Sequence, residues 1–420
     1  RRARLTSLVA LSLAGLAGPA AATDYTWASG WYTTFSDPTT SSSVAPPTLA
    51  AGDLLMLTRG ADKLLGCAPN GPNCDGRQDL LIGAGATVAH AAGNLLFGST
   101  GSVLTNQGTY DLQGDVSITG DNSNSGGQFD NQGELLKSAG TGTAHIGGVH
   151  FVNSGTVRVL AGTLQFDGDS QGGPEFNDGG VIDTGVAQGI VSFANGATFS
   201  GTTTATNASL MFDGGLFWGN SAVLVGSDAW LRNSANLLGG WTLDGGTLYT
   251  NGASIVGGLE VGNGATLNLV GLTRLPGQGS IHVATGGLIS VANGELLGGG
   301  PVTNDGTIRK AISGATAFDV ALTNRGRVEI DTGGLQLPDT FINDGTVQLR
   351  NGGTLQAGDG TAVFRQSATG RVVIGDEIDD LQGNSAGTLA ASTLQGGSLV
   401  VNTSLDTDLR LAQMLSLIHI

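Results

Sequence analysis

The densest acidic cluster in the chain is Asp376, Glu377, Asp379 and Asp380, in the stretch GDEIDDLQG. Two carboxylates facing each other across a cleft are what a glycosidase needs. One protonates the leaving oxygen and the other attacks or activates water. The same oxygens suit a hard cation such as Ca²⁺, so these residues are also the metal candidates of the chain. Arg365 and Arg371 lie just upstream. A lyase of the pectate type wants an Arg or Lys base beside Asp-held Ca²⁺, so this is the best place for enzyme chemistry. The plainer reading is a solvated acidic loop.

Other chemistry fails on spacing. The Asp/Gly-rich stretch QFDGDSQGGPEFNDGG, Gln165 to Gly180, lacks the register of a Ca²⁺-binding nonapeptide repeat. His90, His145, His150, His282 and His419 show no metal-ligand spacing. Gly-x-Ser-x-Gly is absent. The glycine-rich loops lack the following helix and lysine of a phosphate site. Cys67 and Cys74, in GCAPNGPNCDG, are expected to form a disulfide, because zinc would want two more soft ligands and none lies nearby. No catalytic residue and no cofactor is assigned.

The elements that would carry any such residue are short and repeated. FVNSGTVRVLAGTLQF begins at Phe151; LTNRGRVEIDTGGLQL and FINDGTVQLRNGGTLQA begin at Leu322 and Phe341. An Asn-x-Gly turn recurs at Asn106, Asn131, Asn153, Asn304, Asn324 and Asn343. Clear copies lie about 19 to 25 residues apart, the length of one solenoid coil. Within each copy apolar residues alternate with polar ones: Val157 and Val159 around Arg158, Leu164 and Phe166 around Gln165, Val347 and Leu349 around Gln348. That period of two marks half-buried strands, and strands this short need coil-on-coil stacking. The fold class is all-β, a parallel β-helix. Gly and Asn supply the positive φ of its corners, and asparagines at equivalent corners are expected to pair in ladders. Trp218, Trp230 and Trp241 are expected to fill core positions or stack on flanking coils.

Composition agrees. Gly makes up 72 of 420 residues, far above the usual ~7 %, while Pro is only 10 and no strict triplet period exists, which excludes collagen. Hydrophobic residues at 40 % and charged residues at 12 % exclude a disordered chain. A net charge of −16 argues against nucleic acid and anionic lipid as partners. Four segments are expected. Residues 1–22 read as a signal peptide: basic RRAR, an apolar run too short to span a bilayer, then small residues before Thr23. Residues 23–78 form a capping segment with the small disulfide loop, and 79–410 the helix repeats. Residues 411–420 are a truncated end whose LSLIHI is similar to a translated sequencing adapter.

The repeats quoted above, with VTNDGTIRK and the opening YTWASGW, resemble the passenger regions of bacterial autotransporter and filamentous-haemagglutinin-like surface proteins. The resemblance covers most of Thr23 to Arg410. It implies a right-handed parallel β-helix, export through outer-membrane machinery to the cell surface or beyond, and adhesion, self-association or biofilm formation. Cell-surface, matrix or glycan ligands would be the partners. The alternative is a secreted polysaccharide-active β-helix enzyme, a lyase or glycosidase, dependent on Ca²⁺.

Overall fold

A computed structural model of the chain describes residues 22–27, 30–31, 35–36, 43–44, 48–65, 79–98, 101–120, 127–168, 173–177, 179–185, 189–200, 202–338, 341–358, 363–375, 387–390 and 393–402. Every regular element among them is a strand. The strands stack in parallel as successive coils of a β-solenoid, with a spacing of about 22 residues.

Each coil has three faces. Val103–Asn106, Gln128–Asn131 and His150–Asn153 stack on the first. Thr109–Leu112, Glu134–Lys137 and Thr156–Val159 stack on the second. Ser117–Thr119, Thr143–Gly147 and Thr163–Asp167 stack on the third. The second-face ladder already includes Asp24–Trp27 and Leu54–Leu57, which pair in parallel with each other and then with Thr87–His90. The antiparallel pairings, Thr26 with Ser36 and Phe35 with Val44, lie at this first end.

Alternation along each strand fills the core. Val157, Val159, Leu164 and Phe166 are fully buried, while Arg158 points outward to Glu134 and Asp183. Gln348 departs from its outward expectation. It is fully buried, donating to Gly375 O at 3.3 Å and accepting from Arg350 and Arg327 above it. Aromatic side chains at stacked core positions touch from coil to coil. Tyr110 meets Phe129 at 5.5 Å, Phe129 meets Phe151 at 5.4 Å, and the series runs on through Phe166, Phe193 and Phe212 to Trp241.

The six corner asparagines are buried at the ends of strands. Asn106 donates to Asn131 Oδ1 at 2.7 Å, and Asn131 to Asn153 Oδ1 at 2.6 Å. Asn304 donates to Asn324 Oδ1 at 2.7 Å, and Asn324 to Asn343 Oδ1 at 2.8 Å. Positive φ is not among their features; it falls on Asn195, Asn207, Asn233 and Asn351, and on many glycines. The glycine two residues after each ladder asparagine is there for close approach. A Cβ on Gly133 or Gly155 would sit 2.2 or 2.1 Å from a carbonyl oxygen of the coil before.

The two ladders occupy different corners. Asn106, Asn131 and Asn153 end first-face strands. Asn304 lies on the second-face ladder, reached through Val283 and Val261, and Asn324 and Asn343 follow it there. The copies of the motif are local twins set one face apart.

Candidate functional site

The second face carries a groove of about 660 Å³ across the coils between Asn220 and Arg325. Its wall is an outward row in strict register: Thr242 opposite Glu260, Glu260 opposite His282, His282 opposite Thr303. Strand alternation sets this row. Leu259, Val261, Ile281, Val283 and Val302 point into the core, so the residues between them must point out.

Parallel stacking without stagger places side chains of successive coils in contact. His282 Nδ1 lies 2.7 Å from Glu260 Oε2, and His282 Nε2 lies 2.8 Å from Asp305 Oδ2. Each nitrogen faces a carboxylate, so the doubly protonated ring donates to both. The hydrogen bonds to Asp305 and then Glu260 raise the imidazole pKa, against a smaller opposing effect of burial. The folded-state pKa thus lies above the ordinary value near 6.5. The resulting stabilisation is complete below about pH 6.5 and is lost as pH rises through the raised folded pKa. Thermal unfolding of the chain and of His282→Gln should therefore show a difference between them at about pH 6 that shrinks at higher pH. A difference that grows with pH would contradict this reading.

The arrangement also limits chemistry. Ser280 sits two residues before His282 on the same strand, but both ring nitrogens are engaged, so neither has a lone pair for general-base work toward that hydroxyl. What the array offers is a fixed imidazolium between two carboxylates whose remaining oxygen lone pairs can accept further hydrogen bonds.

Several other polar groups among the described residues bond to the solenoid's own backbone and side chains. Lys63, Lys137 and Lys310 are buried and give their ammonium protons to corner carbonyls, such as Ala139 O at 2.9 Å from Lys137 and Ala292 O at 3.0 Å from Lys310. Burial lowers the pKa of Lys63 and Lys310. His90 is buried against Tyr110, whose hydroxyl donates to Nδ1 at 3.0 Å while Nε2–H donates to Gly93 O at 2.7 Å; burial pushes its pKa down to about 4. His145 pairs with Asp167 at 3.0 Å. Among the described residues no group of three or more His, Cys, Asp and Glu side chains is placed to hold a metal ion.

Asp376, Glu377, Asp379 and Asp380, the cysteines Cys67 and Cys74, and the segments 1–21 and 411–420 lie outside the described residues. Arg371 opens the strand Arg371–Gly375, and Arg365 lies on Val363–Gln366. Trp241 fills the core and donates to Leu238 O at 2.9 Å. Trp230 stacks on Tyr249 of the next coil at 4.4 Å. Trp218 departs from expectation: it points outward and is 51 % exposed.

Sequence reading missed Glu260, His282 and Asp305 as a group. They are 22 and 23 residues apart, so one coil length counted in each direction from the histidine finds both partners. No protein-family model matches the chain, and no curated protein matches it, so the assignment of this groove rests on its own geometry.

Proposed function

We propose that the chain is an exported β-solenoid rod of the autotransporter-passenger or filamentous-haemagglutinin kind that works by binding, in adhesion or self-association, and catalyses no reaction. The observation that supports this best is the stack itself. One parallel ladder runs from Asp24–Trp27 to Thr393–Gln395 near the far end of the described coils, and each face repeats outward polar rows coil after coil. Repeated weak contacts along such a surface give avidity without one deep pocket. The leader-like first 22 residues and the family resemblance of the repeats support delivery to the surface. The engaged nitrogens of His282 support binding over catalysis at the groove.

The test is to couple the purified chain to inert beads. Beads that clump with one another, or that capture bacterial or epithelial cells or matrix, are the expected result; beads that do neither overturn the reading.

A further inference from the structure

The groove of the second face has walls and a floor of different character. Beside the row Thr242–Glu260–His282–Thr303 runs a second row, two residues earlier on each strand: Gly240 opposite Gly258, Gly258 opposite Ser280, then Pro301. Glycine inside a strand weakens a sheet and needs a reason. At Gly133 and Gly155 the reason is a backbone oxygen within 2.2 Å of any Cβ. At Gly240 and Gly258 no such reason exists. A Cβ there would meet its nearest atom at 3.9 and 3.7 Å, and neither φ is in the left-handed region. What these two glycines provide is the depth of the groove.

The chemistry of the walls selects the occupant. Backbone groups of the floor are already spent along the stack: Ser280 N–H donates to Gly257 O and Gly262 N–H to Leu243 O. An extended peptide therefore has no free edge to pair with, and recognition falls to side chains. Those are the acceptor carboxylate of Glu260 and the hydroxyls of Thr242, Ser280 and Thr303, with Arg325 at one end, while Asp305 holds His282 from beyond the lining. A ligand rich in hydroxyl donors matches them. A polyanion is disfavoured by the net charge of −16. Coils rise by about 4.8 Å each, comparable with the length of one pyranose unit, so a sugar chain laid along the stack meets an equivalent wall position at each ring.

We propose that this groove binds a neutral polysaccharide strand running along the stack, with its hydroxyls held by Glu260 and the threonine row and its rings over the Gly240–Gly258 floor. The inference deepens the adhesive reading and rests on it.

The test uses the purified chain, linear neutral glucan, mannan and galactan oligosaccharides, and titration calorimetry. At least one oligosaccharide should bind saturably. Gly258→Thr fills the floor where a Cβ fits, so it should weaken that binding by about tenfold or more while leaving the unfolding midpoint at or above that of the parent. Glu260→Gln should weaken it several-fold. Binding equal to the parent in Gly258→Thr, no binding of any neutral oligosaccharide, or binding of polygalacturonate or an extended peptide in their place would each overturn the proposal. Parent beads that still clump or capture cells while no oligosaccharide binds would sink the groove assignment alone. Saturable oligosaccharide binding by a chain whose beads neither clump nor capture would sink the adhesive reading and keep the groove.

Discussion

Replacing Phe193 by alanine should lower the stability of its coils by about 4 kcal/mol, at the upper end of what core truncations cost. Phe193 is fully buried and touches four rings: Phe166 and Phe212 stacked at 5.6 and 5.5 Å, Phe176 and Phe199 edge-on at 5.5 Å each. Alanine leaves a cavity bounded by stiff aromatic walls from neighbouring coils, which have little freedom to collapse. The loss should be local, because each coil of a solenoid contacts its neighbours alone. Hydrogen exchange should therefore speed up in the coils between Phe166 and Phe212 and remain near its original rate around Val328 and Val347. Uniform acceleration along the whole chain would show that the stack unfolds as one unit and would count against this description.

Asn131→Ala should cost nearly as much, about 3 kcal/mol, through a different mechanism. Asn131 accepts from Asn106 at 2.7 Å and donates to Asn153 Oδ1 at 2.6 Å and to Thr156 O at 3.1 Å, with no solvent exposure. Removing its amide strands a donor in the coil before and two acceptors in the coil after, none of which reaches water. Asn131→Asp keeps the size of the side chain and removes two donor hydrogens while adding a buried charge, so it should be no better than alanine at neutral pH. Denaturant unfolding of both variants checks this; a cost below about 1 kcal/mol for each would mean that water reaches the ladder.

How much of this was legible in the sequence depends on distance along the chain. The alternation in TVRV and TLQF belongs to a single strand, so inward and outward residues could be assigned without knowing the fold, and Val157, Leu164 and Phe166 lie where alternation put them. The coil length was legible because the Asn-x-Gly turn marks it. The face on which each turn sits was not. Asn153 and Asn324 occur in nearly identical local sequence, yet occupy corners one face apart. The phase is set by the shorter coils between them, where Leu224 is opposite Leu243 and Leu243 opposite Val261 at steps of 19 and 18 residues. Local pattern carries no memory of that shift.

The candidate site was hidden for the same reason. Glu260, His282 and Asp305 look like three unrelated polar residues until the register is known, and only then do they become neighbours within 2.8 Å. Gln348 shows the limit of alternation from the other side. The pattern places it outside, yet it is fully buried, bonded to Arg327 of the neighbouring strand and to Arg350 two residues further on. Trp218 shows that size and apolarity alone do not send a side chain inward when its strand position points to solvent.

The most direct test of the central claim, that the chain works as a binding surface and performs no catalysis, is one sample assayed two ways. Beads carrying the chain are mixed with cells and with one another, and the same preparation is incubated with a panel of neutral and acidic polysaccharides in the presence of Ca²⁺. The expected result is clumping or capture, with no reducing ends and no unsaturated sugars released. Product release that disappears in Asp376→Ala or Asp379→Ala, from beads that neither clump nor capture, would contradict it and establish the enzyme in its place.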